Sequence, residues 1–123
     1  MTSARDLPTR PAGRRRRPTT SSVVLLLSAS DVLVERCRSV LFVEGAELVE
    51  CDLVSLRGTA AWLSPLAIVM TEDVRTFDPD GFAEVARRVG AELVVLASEE
   101  VSDPELAAMI STALEIAQRA RAE

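Results

Sequence analysis

The sequence predicts one α/β domain, a three-layer sandwich in which helices cover both faces of a short parallel sheet of about four strands. Three observations favour this fold class. Short apolar runs recur along the chain, helix-forming segments separate them, and the runs are continuous rather than alternating, as in strands buried on both faces. A chain of 123 residues with 48% hydrophobic content is long enough for one core and too short for two.

Residues 1–21 differ in composition from the rest of the chain. They contain three prolines and six arginines against a single acid, a net charge of +5, whereas the remaining residues carry −10, because eight arginines face 18 acids. Such a segment cannot bury enough apolar surface to fold, and we expect a disordered basic arm ahead of a domain at residues 22–123. The arm contains a run of arginines: Arg14, Arg15, Arg16 and Arg17.

The first strand is predicted at "SVVLLLS", where serines bound an apolar run. Ser30 or Asp31 then begins a helix, because either side chain can accept from the free amides of a first turn. The helix ends at Gly45, a residue type that adopts the left-handed conformation at helix ends. The second strand follows at "AELVEC".

The segment "SLRGTAAWL" predicts one or two helical turns that Gly58 breaks or loosens and Pro65 closes. The apolar run "LAIVMT" is the third predicted strand, and we interpret "EDVRTF" after it as a loop. Strands that alternate with helices in this way indicate a parallel sheet with crossover helices.

Two later helices begin with nearly the same tripeptide, Asp78-Pro79-Asp80 and Asp103-Pro104-Glu105. In each, we expect the first Asp to cap the helix, the proline to take the first helical position and the second acid to favour the positive end of the dipole. The fourth strand, "ELVVLA", lies between these helices, after Gly90. Helical spacing of apolar residues predicts the buried faces: Phe82, Val85, Ala86 and Val89 in the first helix, and Leu106, Met109, Ile110, Ala113, Leu114 and Ala117 in the second.

Composition excludes most catalytic chemistry. The chain has no histidine and no lysine, so nothing can activate Ser28 or Ser30 as a nucleophile in the usual ways. No glycine-rich phosphate loop follows the first strand. Cys37 and Cys51 are too few for a structural zinc site, and we expect both to be buried and reduced. The sequence thus predicts neither an enzyme nor a cofactor site.

The apolar stretch after the arginines does not indicate export. Its uninterrupted part, residues 23–27, is five residues long, which is shorter than the hydrophobic region of a signal peptide. No stretch is long enough to span a membrane. We therefore expect a cytoplasmic protein.

The order of the elements resembles that of a response-regulator receiver domain, which has a flavodoxin-like fold. The segment "VVLLLSASDVLVERCRSVLFVEGAELVECD" is similar to the receiver's first strand, first helix and second strand. The segments "SPLAIVMTEDV", "FAEVARRVGAELVVLAS" and "DPELAAMISTAL" are similar to its last two strands and last two helices. Residues 52–65 form a much shorter stretch than in a receiver. The resemblance therefore implies a shortened domain without the strand and helix around the phosphate-accepting aspartate.

The resemblance also implies which residues phosphoryl chemistry would require. The receiver's magnesium-binding acidic pair falls on Ser28, Ala29 and Ser30, and its lysine falls on Ala97, so only Thr71 keeps the expected residue type. If "LAIVMT" is instead the receiver's third strand, the acceptor position falls on Thr71. Magnesium needs several oxygen ligands and a transferring phosphoryl group needs a cation, so we expect no aspartyl phosphorylation.

Acids collect at the predicted carboxyl edge of the sheet, where parallel α/β proteins carry their functional loops. Glu72 and Asp73, with Asp52, Glu99 and Glu100, could form a divalent metal site or a docking face for a basic partner. The more ordinary interpretation, which we favour, is that solvated loops and helix starts collect acids.

The sequence favours a non-catalytic interaction or assembly module, a pseudo-receiver that binds a protein partner or a second copy without phosphorylation. Receiver relatives commonly pair through their last strands and helices, which the resemblance places at residues 74–118. Ile116 lies in this segment, outside the buried stripe of the last helix. The candidate interaction residues are Thr71, Glu72, Asp73 and Ile116, together with the four arginines of the arm.

The alternative is a nucleic-acid-associated protein in which residues 5–17 bind phosphate backbones while the domain assembles or recruits. The rest of the chain, with its net charge of −10, supplies no second basic surface. Two other interpretations of the arm stay open: a solvated leader without a fixed partner, and a segment that docks on the acidic domain of a neighbouring subunit. We expect no sequence preference, because an unstructured arginine run contacts phosphates more readily than base edges.

Overall fold

The structure, a computed structural model, describes residues 22–122, so the basic arm at residues 1–21 lies outside the described part of the chain. The described chain alternates strands and helices in the predicted order. None of these helices combines the length and the apolarity needed to cross a membrane. The strands are β1 (Val23–Leu27), β2 (Glu47–Cys51), β3 (Ala67–Thr71) and β4 (Glu92–Leu96), and the helices are α1 (Asp31–Glu44), α2 (Leu56–Leu63), α3 (Glu72–Arg75), α4 (Pro79–Val89) and α5 (Asp103–Ala122).

The four strands form one parallel sheet in the order β2-β1-β3-β4. β1 pairs with β2 along its whole length, with Val23 opposite Glu47. On its other side β1 pairs with β3, where Leu25 lies opposite Ile68. The chain thus winds from β1 first to one side and then to the other, as in doubly wound sheets. The predicted α/β class with a short parallel sheet is confirmed.

Helices cover both faces of the sheet, which explains why the central strands are apolar on both sides. Val24 and Leu26 belong to the core beneath α1 and α5, whereas Leu25 and Leu27 belong to the core beneath α2 and α4. Each fully buried leucine contributes about 1.5–3 kcal/mol relative to an exposed one. Every residue of β1 and β3 is buried, so these two strands form the centre of the fold.

The chemistry at the helix ends largely follows the sequence prediction. Ser30 caps α1 by accepting from the Leu33 amide at 3.3 Å. Gly45 ends the helix with a φ of +75°, which costs glycine little. Asp78 caps α4 by accepting from the Gly81 amide at 3.1 Å.

The prediction for the segment before β3 was wrong in one respect. α2 is a continuous helix through Gly58 rather than one or two loosened turns. Leu56 and Ala60 are buried, and this packing holds the helix although glycine lowers its intrinsic stability. Asp52 also fixes the chain ahead of the helix, because its carboxylate accepts from the amide and the hydroxyl of Ser55 at 2.8 and 2.9 Å.

A single helical turn, α3, replaces the loop predicted for "EDVRTF". Thr71 caps this turn by accepting from the Val74 amide at 3.4 Å. The Thr76 hydroxyl donates to the Asp73 carbonyl at 2.7 Å. Four residues are too few to show a hydrophobic period in the sequence, so polar bonds of this kind are what form the turn.

The start of α5 also differs from the prediction. Ser102 accepts from the Glu105 amide through its hydroxyl at 3.2 Å and from the Leu106 amide through its carbonyl at 2.9 Å. Ser102 is therefore the cap, and Asp103 is the first helical residue. The Asp103 carboxylate instead accepts from Arg36 of α1 at 2.9 Å, because a cation on the neighbouring helix competes for it.

Both cysteines are free thiols. Cys37 on α1 is fully buried, as predicted. Cys51 is only half-buried, because it lies at the end of the edge strand β2, which has a neighbouring strand on one side.

Candidate functional site

The carboxyl ends of β1 and β3 meet where the strand order reverses, the usual ligand crevice of doubly wound sheets. On the β1 side of this point, a carboxylate of the protein itself lies at the start of α1. Glu99, in the loop between β4 and α5, accepts from the Ser30 amide at 3.1 Å through one oxygen and from the Ser30 hydroxyl through the other. The carboxylate thus occupies the amino end of α1, where the helix dipole favours a negative charge.

Arg36 holds the loop that carries Glu99. Its guanidinium donates to the Glu99 carbonyl at 2.7 Å and also to the Val101 carbonyl. It donates as well to the Asp103 carboxylate, and the Arg36 side chain in this ion pair is only 23% exposed. The loop is therefore fixed to α1 at several points, which keeps the Glu99 carboxylate at the start of that helix.

Three of the other candidate residues at this edge, Thr71, Glu72 and Asp52, have structural partners. Thr71 is buried as the cap of α3, and Glu72 forms an ion pair within α3 at 3.0 Å, while Asp73 is exposed. The bonds from Ser55 to Asp52 hold the pKa of that carboxyl below its usual 3.8. Within residues 22–122, no group of three or more acidic or cysteine side chains is placed to hold a metal ion.

Both cysteines are held as neutral thiols. Burial raises the pKa of Cys37 to about 11, with the charge of Arg36 opposing this rise and that of Glu99 adding to it. Burial also raises the pKa of Cys51 to about 11, and the charge of Asp52 adds to the rise. Because the thiolate is the reactive form of cysteine, these side chains are poor nucleophiles at neutral pH.

The outer edge of β4 is open. β4 pairs with β3 on one side, and no strand among residues 22–122 lies on the other. The Glu92 amide points inward, to the Leu66 carbonyl at 2.9 Å. Because peptide groups alternate in direction along a strand, those of Leu93 and Val95 point outward, away from β3. This edge therefore offers main-chain donors and acceptors to another strand.

An apolar groove of about 370 Å³ runs along this edge between β4 and α5. Ile116 lines the groove and is 44% exposed. Glu92 is the one charged residue in its lining. Extended peptide segments commonly bind at an unpaired strand beside an apolar groove, where they form an additional strand of the sheet. The remaining lining comes from Leu93, Val94 and Val95 of β4 and from Ala108, Met109, Thr112 and Ala113 of α5.

The opposite edge of the sheet carries charges. β2 exposes Glu47 and Glu50, and Arg38 of α1 lies 3.6 Å from the Glu50 carboxylate. Charged side chains on an edge strand are a common means of preventing edge-to-edge pairing. β4 carries a single acid, Glu92, at its first position, so the two edges of the sheet differ in chemistry.

A second groove, between α2 and α4, contains two arginines. Arg57 and Arg88 line it together with Ala61 and Val85, in a volume of about 390 Å³. Trp62, also on α2, is 85% exposed. The arginines are far apart in the sequence, so only the packing of the two helices brings them to one groove. Arg88 forms an ion pair with Glu84 at 3.2 Å, which offsets part of the positive charge of the groove.

The predicted interaction residues do not form one site. Ile116 lies in the groove beside β4, whereas Thr71, Glu72 and Asp73 lie at or just beyond the carboxyl end of β3. The arginine run of the arm lies outside the described residues. Sequence reasoning missed the bond between Glu99 and Ser30, because no local pattern joins residues that are 69 positions apart.

No protein-family model matches this chain, and no curated protein matches its sequence. A functional assignment therefore depends on the fold and on the surfaces described above.

Proposed function

We propose that the protein is a non-catalytic interaction or assembly module, a pseudo-receiver that binds its partner through the free edge of β4 and the adjacent groove. One observation carries this proposal: the outward peptide groups of Leu93 and Val95 lie beside an apolar groove that includes Ile116. A strand that adds to such an edge gains affinity from main-chain hydrogen bonds and specificity from the neighbouring side chains.

The strand order supports the comparison with a receiver-like fold. The order β2-β1-β3-β4 is that of a flavodoxin-type sheet with one strand fewer. Between β2 and β3 the chain forms only α2, which agrees with the loss of one strand and one helix from that part of the fold.

The carboxyl edge supports a role without phosphoryl transfer. Ala97 stands where a receiver-like protein would carry its lysine, and Glu99 already binds the amino end of α1. A phosphoryl group that approached this helix would meet a carboxylate of like charge. The nearby guanidinium of Arg36 is engaged by Asp103 and by backbone carbonyls.

A charge placed in the groove tests the interaction surface. The full chain with Ile116→Glu is compared with Phe42→Glu, which puts the same charge at an exposed apolar position of α1. The partner that the unmodified chain retains from a native lysate is identified and then titrated against both variants. We expect Ile116→Glu to bind at least about tenfold more weakly, because the interface would bury an unpaired carboxylate.

Phe42→Glu should bind like the unmodified chain. If both variants bind with unchanged affinity while circular dichroism reports an intact fold, the β4 edge is not the interaction surface.

Phosphoryl transfer is tested separately. The full chain is incubated with acetyl phosphate and Mg²⁺, and its intact mass is measured. We expect no added phosphoryl group, since the site lacks a lysine and a grouping of acidic metal ligands. A phosphorylated aspartate would contradict the proposed function.

The groove that contains Arg57 and Arg88 favours a second candidate function, binding to a nucleic acid through phosphate contacts. In this case the arginine run of the arm and the groove act together. The full chain, a variant with Arg14 to Arg17 replaced by serine, and Arg57→Ser/Arg88→Ser are titrated with duplex DNA at several salt concentrations. Both variants should bind more weakly and with a smaller salt slope. If the full chain itself does not bind DNA at low salt, this candidate is wrong.

A further inference from the structure

We infer that the occupant of the β4 edge is a second copy of this chain, which pairs β4 antiparallel with β4 around a two-fold axis passing by Val94 and Thr112. The inference rests on the proposed function and names its partner. It follows from the symmetry of two segments, one in the strand and one in the helix beside it.

The backbone of β4 is self-complementary around Val94. The peptide groups that face outward are those of Leu93 and Val95, one on each side of Val94. In an antiparallel pair centred on Val94, Leu93 of one copy lies opposite Val95 of the other, and the two residues exchange both N–H···O bonds. The same exchange occurs on the other side of the axis. The outward N–H and C=O groups of Leu93 and Val95 in each copy then all have hydrogen-bond partners.

The side chains of β4 permit this register. At the centre, Val94 lies opposite its own copy at a position without direct hydrogen bonds, where facing side chains approach most closely. β-Branched residues pack well as such cross-strand pairs. Glu92 falls opposite Leu96, so no two like charges face each other across the pair.

α5 has a matching symmetry around Thr112. The helix lies on the same face of the sheet as Val94, and an axis perpendicular to the sheet sets the two copies of α5 side by side and antiparallel. Around Thr112, Ala108 falls opposite Ile116 of the second copy, a small residue opposite a large one. Glu105 falls opposite Arg119, so opposite charges meet at both ends of the contact once Arg119, which pairs with Glu115 at 3.1 Å in the single copy, turns toward the second copy.

The two symmetries share one axis, and this coincidence favours a second copy over an unrelated strand. Val94 and Thr112 line the same groove, so one axis perpendicular to the sheet can pass close to both. An unrelated peptide could use the backbone of Leu93 and Val95. It would not account for the opposite charges placed symmetrically about Thr112.

Disulfide cross-linking of the full chain locates the axis. In Thr112→Cys the new thiols of two copies lie next to each other, so mild oxidation should yield a covalent dimer. Ile116→Cys is the matched control, because it lies in the same groove but four positions along the helix. At about 1.5 Å per residue its two copies stand roughly 12 Å apart along the helices, beyond the reach of a disulfide.

Mixing Ala108→Cys with Ile116→Cys should restore cross-linking, since these positions face each other across the axis. Native Cys37 and Cys51 add little background at neutral pH, where both remain protonated. Equal cross-linking of Thr112→Cys and Ile116→Cys, or of neither, would overturn the proposed register.

Charge reversal tests the same contact without a thiol. Arg119→Glu should raise the dissociation constant of the dimer about tenfold in sedimentation equilibrium. In this variant Glu105 of each copy lies opposite a glutamate of the other copy. Glu105→Arg combined with Arg119→Glu should recover the dimer. A full chain that sediments as a monomer at every concentration overturns the inference. That result is independent of the acetyl phosphate experiment, which tests the proposed function by itself.

Discussion

Arg121, near the end of α5, joins the carboxyl ends of two helices on the opposite face of the sheet. Its guanidinium donates to the Ser64 carbonyl at 2.9 Å and the Pro65 carbonyl at 2.6 Å, just after α2. It also donates to the Val89 carbonyl at 3.0 Å, at the end of α4. The last carbonyls of a helix have no donors within the helix and carry the negative end of its dipole, so a cation there satisfies both needs.

Arg121→Met should therefore lower the free energy of unfolding by about 1–2 kcal/mol, measured by urea denaturation. Methionine keeps most of the side-chain length and removes the donors. Arg88→Met is the control, because Arg88 forms an exposed pair with Glu84 away from the β4 edge and its loss should cost less than about 0.5 kcal/mol. Equal costs for the two variants would show that the carbonyl contacts of Arg121 contribute nothing.

The two thiols make the free energy of unfolding depend on pH in the alkaline range. For Cys37 and Cys51 the pKa rises on folding from 9.0 to about 11, so the folded state binds protons more tightly than the unfolded state. This contribution to stability is fully present below pH 9 and is lost as pH rises toward 11. The chain has no lysine or tyrosine, and arginine stays charged there, so few other groups contribute.

The free energy of unfolding should accordingly fall between about pH 9 and about pH 11. Replacing Cys37 and Cys51 by alanine should lower stability at every pH, because Cys37 is fully buried, but should flatten this dependence. An unchanged slope in the double variant would mean that groups other than the thiols cause it.

At the scale of the helix, the glycines offer a matched comparison. Gly58 lies inside α2 with open space where a Cβ would be, so Gly58→Ala should raise the free energy of unfolding by about 0.5–1 kcal/mol. Gly45 also has open space, but its φ of +75° is strained for alanine, so Gly45→Ala should lower stability by about 1 kcal/mol. Urea denaturation of both variants checks the opposite signs. The same sign in both would show that backbone conformation does not decide the effect.

Elements were predictable from the sequence where local chemistry defines them. The starts of α1 and α4 depend on Ser30 and Asp78, each of which bonds an amide three residues ahead, and such bonds appear in the sequence as short patterns. The cap of α5 was not predictable, because Arg36 competes for Asp103 from a distant part of the chain. The contact between Glu99 and Ser30 and the groove beside β4 depend in the same way on tertiary packing. For this reason Ile116 was identified as exposed from the sequence, while the strand edge that it borders was not.

At the scale of the whole molecule, the absence of histidine removes the side chain whose ordinary pKa lies between pH 5 and pH 8. Folding stability and pairing through β4 should therefore be nearly constant from about pH 6 to about pH 8. Sedimentation and thermal melting across this range check the expectation. A midpoint near neutral pH in either measurement would require a carboxyl or thiol whose pKa is shifted far into that range.

The acids on β2 have a consequence for how far an assembly extends. When two copies join through β4, the sheet of the pair ends in β2 on both sides. Each end then presents Glu47 and Glu50, so a third copy that approached by the same kind of edge contact would meet like charges. Growth of the proposed assembly should therefore stop at the pair, which predicts a closed dimer rather than a fibre.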